Sequence, residues 1–109
     1  MNDKEFSGKT FIVTGASSGI GKATALTAVE RGASVVFVAR RESALKTLTA
    51  KLEPSRIEII AADVTKESDR ERIVSQTLSR FGGIDALVNA AGIIANGTIE
   101  STTLEQWDI

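Results

Sequence analysis

The sequence contains no cysteine, no histidine and no tyrosine, and it has a single proline and a single tryptophan. Without cysteine there is neither a disulfide framework nor thiolate chemistry, and without histidine the commonest metal ligand and general base is missing. Metal catalysis is therefore not expected, and no metal-binding residue is assigned. Long apolar runs are absent too. Nothing approaches the ~18 residues of a membrane span, and the charged opening MNDKEFSG offers no apolar signal core, so a cytoplasmic location is expected. Neither sign of charge is in excess, with 13 basic and 14 acidic residues. No broad field is available to hold a nucleic acid or an anionic membrane, which leaves small molecules as the expected partners.

What the 109 residues do contain, at 42% hydrophobic and 25% charged, is enough for one globular unit. Short apolar runs alternate with amphipathic stretches. Thr10 to Val13 reads as a strand, followed by a glycine turn and a helical pattern at Ile20, Ala23, Leu26 and Val29. Arg31-Gly32 supplies a helix stop, and Ser34 to Ala39 (SVVFVA) reads as a strand buried on both faces. A second helix fits Ala44, Leu45, Leu48 and Leu52, with Pro54 as its stop. Ile57 to Val64 is a third strand. Ile73, Val74, Leu78 and Phe81 form a third helical stripe closed by Gly82-Gly83, and Ile84 to Asn89 is a fourth strand. A last helix is expected to start near Ser101, where Thr103-Leu104-Glu105-Gln106 resembles a capping box. Its Trp107 is expected to pack in a core or interface.

Strand and helix thus alternate, with connections short enough to require right-handed crossovers. The predicted fold class is α/β, a Rossmann-like doubly wound parallel sheet of about four strands with flanking helices. In such a sheet, ligands settle where strands end and helices begin. The stretch Thr14-Gly15-Ala16-Ser17-Ser18-Gly19-Ile20-Gly21 lies at that place. Gly15 permits the turn, Gly19 permits close approach of a pyrophosphate, and Gly21 permits close helix packing. Ser17 and Ser18 either offer hydroxyls to ligand oxygens or cap the helix. The alternative is that the glycines make a tight connection and nothing more. The G-x-x-x-G-x-G spacing matches neither G-x-G-x-x-G nor the P-loop, although Lys22 follows Gly21.

Three motifs in order, Thr14-Gly15-x-x-x-Gly19-Ile20-Gly21, Asp63-Val64 and Asn89-Ala90-Ala91-Gly92, resemble those of the classical short-chain dehydrogenase/reductase family over nearly the whole chain. The resemblance implies an oxidoreductase that transfers hydride between a nicotinamide cofactor and a carbonyl or alcohol substrate. It implies that Asp63 contacts the adenine amino group while the backbone of Val64 helps position the ring. The competing reading ties Asp63 to local N–H groups, with Thr65 beside it. Asn89 is implied to tie the central strands together, and Ala90, Ala91 and Gly92 to let the cofactor ribose lie close. Ala90 departs from the commoner asparagine. Where NAD-preferring members carry an acid, this chain has Ala39, and Arg40 resembles the basic residue of NADP-preferring members. NADP(H) is thus the expected cofactor, with NAD(H) possible, and Arg41 is a second, weaker candidate contact.

The family's catalytic tyrosine, lysine and serine match nothing here, so no catalytic residue is assigned. The chain is expected to be the N-terminal part, residues 1–109, of a single NAD(P)-binding domain, inactive alone, with the intact protein a homo-oligomer. Its fourth strand is expected to lose the neighbour the family places beside it, leaving the isolated chain marginally stable. Two alternatives stand beside this: a truncated or non-catalytic nucleotide-binding or scaffold protein of the same fold, and a mononucleotide-binding domain.

Overall fold

A computed structural model describes residues 5–90 and 100–102. Five strands form one sheet in the order β3-β2-β1-β4-β5. β1 (Thr10–Thr14), β2 (Ser34–Ala39), β3 (Ile57–Ala61) and β4 (Ala86–Asn89) run parallel, and β5 (Glu100–Thr102) pairs antiparallel with β4. Helices α1 (Gly19–Glu30), α2 (Glu42–Thr49) and α3 (Glu67–Phe81) make the crossovers.

The layers follow from strand alternation. Val13, Val35, Phe37 and Val88 face one side with Ala25, Ala28 and Leu45 of α1 and α2. Ile12, Val36, Val38, Ile60 and Leu87 face the other with Ile73 of α3. β2 is buried along its length apart from Ser34, as its uninterrupted apolar run predicts for a strand covered on both faces. Each side chain the size of Phe37 or Leu45, buried completely, contributes roughly 1.5–3 kcal/mol.

Several boundaries and faces differ from expectation. α1 turns Gly21, Ala25, Ala28 and Val29 inward and leaves Ala23 exposed. Small residues let the helix lie close to the sheet, and closeness replaces bulk on that face. α2 ends at Thr49, and Pro54 opens a short 3₁₀ turn (Pro54–Arg56) instead of stopping the helix. Proline suits that first position because its missing N–H would have no partner there. β3 ends at Ala61, so Asp63 lies in a loop. In α3, Thr77 is buried and Leu78 is 46% exposed. The Thr77 hydroxyl donates to the Ile73 carbonyl at 2.7 Å, which satisfies it inside the core.

At β4, Asp85 precedes the strand and accepts from the Thr10 N–H at 2.8 Å through its side chain, prolonging the β1–β4 ladder. The far edge of β4 is covered over Leu87, Val88 and Asn89 by β5. This overturns the expectation of an unpartnered fourth strand, and Ser101 lies in β5 and not at a helix start. The rest of that expected helix, with Trp107, lies outside the described residues. Among the described residues, no helix is long and apolar enough to cross a membrane.

Candidate functional site

A cavity of about 640 Å³ opens where β1, β2 and β3 end and α1, α2 and α3 begin. Its walls come from the glycine turn (Gly15, Ser17, Ser18), the β2–α2 junction (Val38, Ala39, Arg40, Arg41, Ala44) and the β3–α3 loop (Ala62, Asp63, Val64, Thr65).

The turn is held by the Ala16 N–H, which donates to the Val38 carbonyl at 3.0 Å and so joins the end of β1 to the end of β2. Gly15 and Gly19 sit at φ +65° and +60°, a region that side-chain-bearing residues rarely enter. Gly21 answers a different demand. A Cβ there would overlap the Gly15 carbonyl oxygen and lie 3.1 Å from the Ala90 Cβ. Helix, turn and the end of β4 therefore meet where only a hydrogen fits.

Ser18 is the N-cap of α1, yet its side chain caps nothing, and the first turn holds no acid. The leading N–H groups and the positive end of the helix dipole are thus left for an anion. Arg40 and Arg41 stand on a neighbouring wall, and Arg41 is the N-cap of α2. The Arg40 side chain is 74% exposed and approaches Asp63, Nη2 to Oδ1, at 3.8 Å.

Asp63 combines the local role with its place in the wall. Its Oδ1 accepts from the Thr65 N–H at 2.9 Å and from the Thr65 hydroxyl at 2.6 Å. These bonds, first the hydroxyl and then the N–H, hold its carboxyl below the usual aspartate value; desolvation opposes them, and the charges of Arg40 and Lys66 add lesser lowering effects. Asn89 lies opposite Thr14 in the β1–β4 register, and the Thr14 hydroxyl donates to its Oδ1 at 2.7 Å. The two strands are tied side chain to side chain at the end nearest the turn.

Of the residues singled out in the sequence, the cavity brings together Gly15, Ser17, Ser18, Arg40, Arg41, Asp63 and Val64. Gly19, Ile20, Gly21, Asn89 and Ala90 are not in its wall, and Ala91 and Gly92 lie outside the described residues. Ala44, Ala62 and Thr65 line it without having been singled out as ligand contacts. Ala44 belongs to the apolar spacing of the second helix, and the alanines carry no chemical signature that would mark them.

Four parallel strands in the order β3-β2-β1-β4, with a glycine turn opening α1 and a cavity at the strand ends, define a Rossmann-like α/β domain. The chain belongs to the short chain dehydrogenase family, whose sequence pattern matches residues 9–109. An uncharacterized oxidoreductase of Listeria monocytogenes is 40% identical over 102 residues, which cover 92% of this chain and 41% of that protein. The chain therefore spans less than half the length of this relative. Among solved structures, a short-chain dehydrogenase/reductase (glucose/ribitol dehydrogenase) of Brucella melitensis superposes with TM-score 0.80 at 40% identity, over 87% of this chain and 40% of that one. The C-domain of a bacterial malonyl-CoA reductase, solved with NADP, gives TM-score 0.78 at 32% identity, covering 84% of this chain and 16% of that one. A 3-ketoacyl-(acyl-carrier-protein) reductase of Brucella melitensis, solved with NADH, gives 0.72 at 34% identity, covering 76% and 34%.

Proposed function

We propose that this chain is the cofactor-binding part of an NADP(H)-dependent oxidoreductase that moves hydride between nicotinamide and a carbonyl or alcohol carbon. The observation that carries the cofactor preference is the β2–α2 junction: Arg40 stands exposed in the cavity wall directly after Ala39, a position with no carboxylate to repel a phosphate. A guanidinium bonds phosphate oxygens in a fork, and its charge holds at any physiological pH. The residues present fit a dinucleotide. The uncapped start of α1 offers N–H donors to a pyrophosphate, and Asp63 keeps Oδ2 outside the hydrogen bonds it makes to Thr65.

The bound cofactor would supply the hydride chemistry. The chain's own part is to bind and orient. Gly15, Ser17, Ser18 and Gly19 receive the diphosphate, with Ile20 and Gly21 setting the first turn of α1 against the strand ends. Arg40, with Arg41 behind it, takes the adenosine phosphate, and Asp63 and Val64 take the adenine. Asn89 and Ala90 hold the end of β4 beside the turn, and the proposal assigns the ribose to Ala91 and Gly92. The 41% share of the Listeria relative spanned by the chain supports placing the substrate-handling groups in residues outside it.

The test is titration of the complete protein with NADPH and NADH, unaltered and as Arg40→Asp. The reading expects NADPH to weaken by roughly tenfold to a hundredfold with NADH changed far less. Equal loss of both cofactors would overturn the NADP(H) preference.

A further inference from the structure

The β3–α3 loop is pinned from one side by residues that touch no ligand surface. The Asp63 N–H donates to Asp69 Oδ2 at 2.8 Å. The Val64 carbonyl accepts from Arg70 Nη1 at 2.8 Å. The Asp63 carbonyl accepts from the Lys66 N–H at 3.0 Å. Arg72 Nη2 donates to the Ala61 carbonyl at 2.8 Å and lies 3.7 Å from Asp69 Oδ1. Each peptide unit from Ala62 to Thr65 is thereby held at its N–H, its carbonyl or both.

The unit joining Val64 to Thr65 is held at both. Its carbonyl takes a hydrogen bond from the Arg70 guanidinium, and its N–H gives one to the carboxylate of Asp63. A cation and an anion thus polarise one peptide from its two ends, an arrangement in which each bond strengthens the other. Its geometric result is that Asp63 Oδ1 is committed to Thr65.

Helix stability alone does not call for this arrangement. Asp69 occupies the third helical position of α3, where an acid ordinarily accepts from the N-cap N–H. Here it reaches past the N-cap to Asp63. Arg70 places a cation in the opening turns, against the helix dipole, and its Nε is buried without a hydrogen-bond partner among the described residues. Burying part of a guanidinium with one nitrogen unpaired costs stability, so the Arg70–Val64 bond is kept at the fold's expense.

We infer that Asp69 and Arg70 are positioning residues for the adenosine end of the cavity, acting through the Asp63 and Val64 backbone to fix the wall that receives the adenine. This rests on the dinucleotide reading above. The ligands that separate the two ends are adenosine diphosphate and nicotinamide mononucleotide, with dissociation constants measured on the complete protein. Asp69→Ala and Arg70→Met should each weaken adenosine diphosphate about tenfold or more and leave nicotinamide mononucleotide unchanged. Arg70→Lys keeps a donor for the single carbonyl and should restore most of the affinity. Arg80→Gln serves as control, because Arg80 binds the Pro54 carbonyl and Glu58 at the opposite end of α3. It should alter neither ligand. Should Arg70→Met fail to fold, Asp69→Ala carries the same expectation alone.

Undiminished adenosine diphosphate binding in the Asp69 and Arg70 variants, or parallel loss of both ligands, overturns the inference and leaves the dinucleotide reading standing. Failure of the unaltered protein to bind either adenosine diphosphate or NADP(H) overturns both.

Discussion

The Arg40 guanidinium stands 3.8 Å from the Asp63 carboxylate and spans the gap between the β2–α2 junction and the β3–α3 loop. With the arginine 74% exposed, this long pair is screened by water and adds little to stability. Arg40→Ala should accordingly shift the unfolding free energy by no more than about 0.5 kcal/mol. Denaturant unfolding of the two proteins checks this. A larger loss would mean that Arg40 is held as part of the fold, and less available to a ligand.

Asp63 makes a prediction in pH. Its carboxyl titrates below the ordinary value of 3.8 in the folded chain. A carboxylate whose pKa is depressed by folding adds stability in full above its unfolded pKa, and that contribution fades as pH falls through the folded value. Asp63→Asn should therefore lower the urea midpoint at neutral pH, with the deficit constant down to about pH 5. The deficit should shrink below pH 3.8. A deficit that persists unchanged in acid would mean that the Thr65 bonds do not depend on the charge of Asp63.

Gly19 and Gly21 should respond differently to the same substitution. At Gly19 a Cβ meets nothing within 4 Å, so Gly19→Ala incurs only the strain of a positive φ, roughly 1–2 kcal/mol. At Gly21 the added carbon collides with backbone, which cannot rotate away. Gly21→Ala should destabilise by more than the ~1–3 kcal/mol usual for overpacking. It should also disturb the turn that Gly15 begins. Thermal unfolding of the two variants side by side measures the ranking, and equal effects would contradict the close approach of α1.

On α3, Ile73→Ala should cost roughly 2–5 kcal/mol because the side chain is fully buried. Leu78→Ala, at 46% exposure, should cost under about 1 kcal/mol in this chain. Reversed magnitudes would contradict the face of α3 that packs on the sheet in the structure.

These contrasts show what the letters of the sequence carry. β2 was legible because burial on both faces leaves a continuous apolar run. On α1 the close approach at Gly21 and the burial of Val29 were legible, but Ala25 and Ala28 were not, since they are inward for their smallness and hydropathy rewards size. Thr77 reads as polar yet sits in the core because its own helix accepts its proton. At the site, glycines, Arg40 and Asp63 announce themselves by type and spacing. Ala16 and Val64 act through backbone atoms, as do the partners of Asp69 and Arg70 on the loop, and a peptide group is the same in every residue.

The three walls of the cavity also belong to three separate strand-to-helix connections. The glycine turn is tied to β2 by the Ala16–Val38 hydrogen bond and to the end of β4 by close packing at Gly21, whereas Arg40 and Arg41 occupy an exposed junction. On the proposed function, one or two substitutions at that junction would change the adenosine contacts without touching the turn assigned to the diphosphate. Under that proposal the fold and the choice of cofactor are set by separate residues, and the second can change while the first is kept.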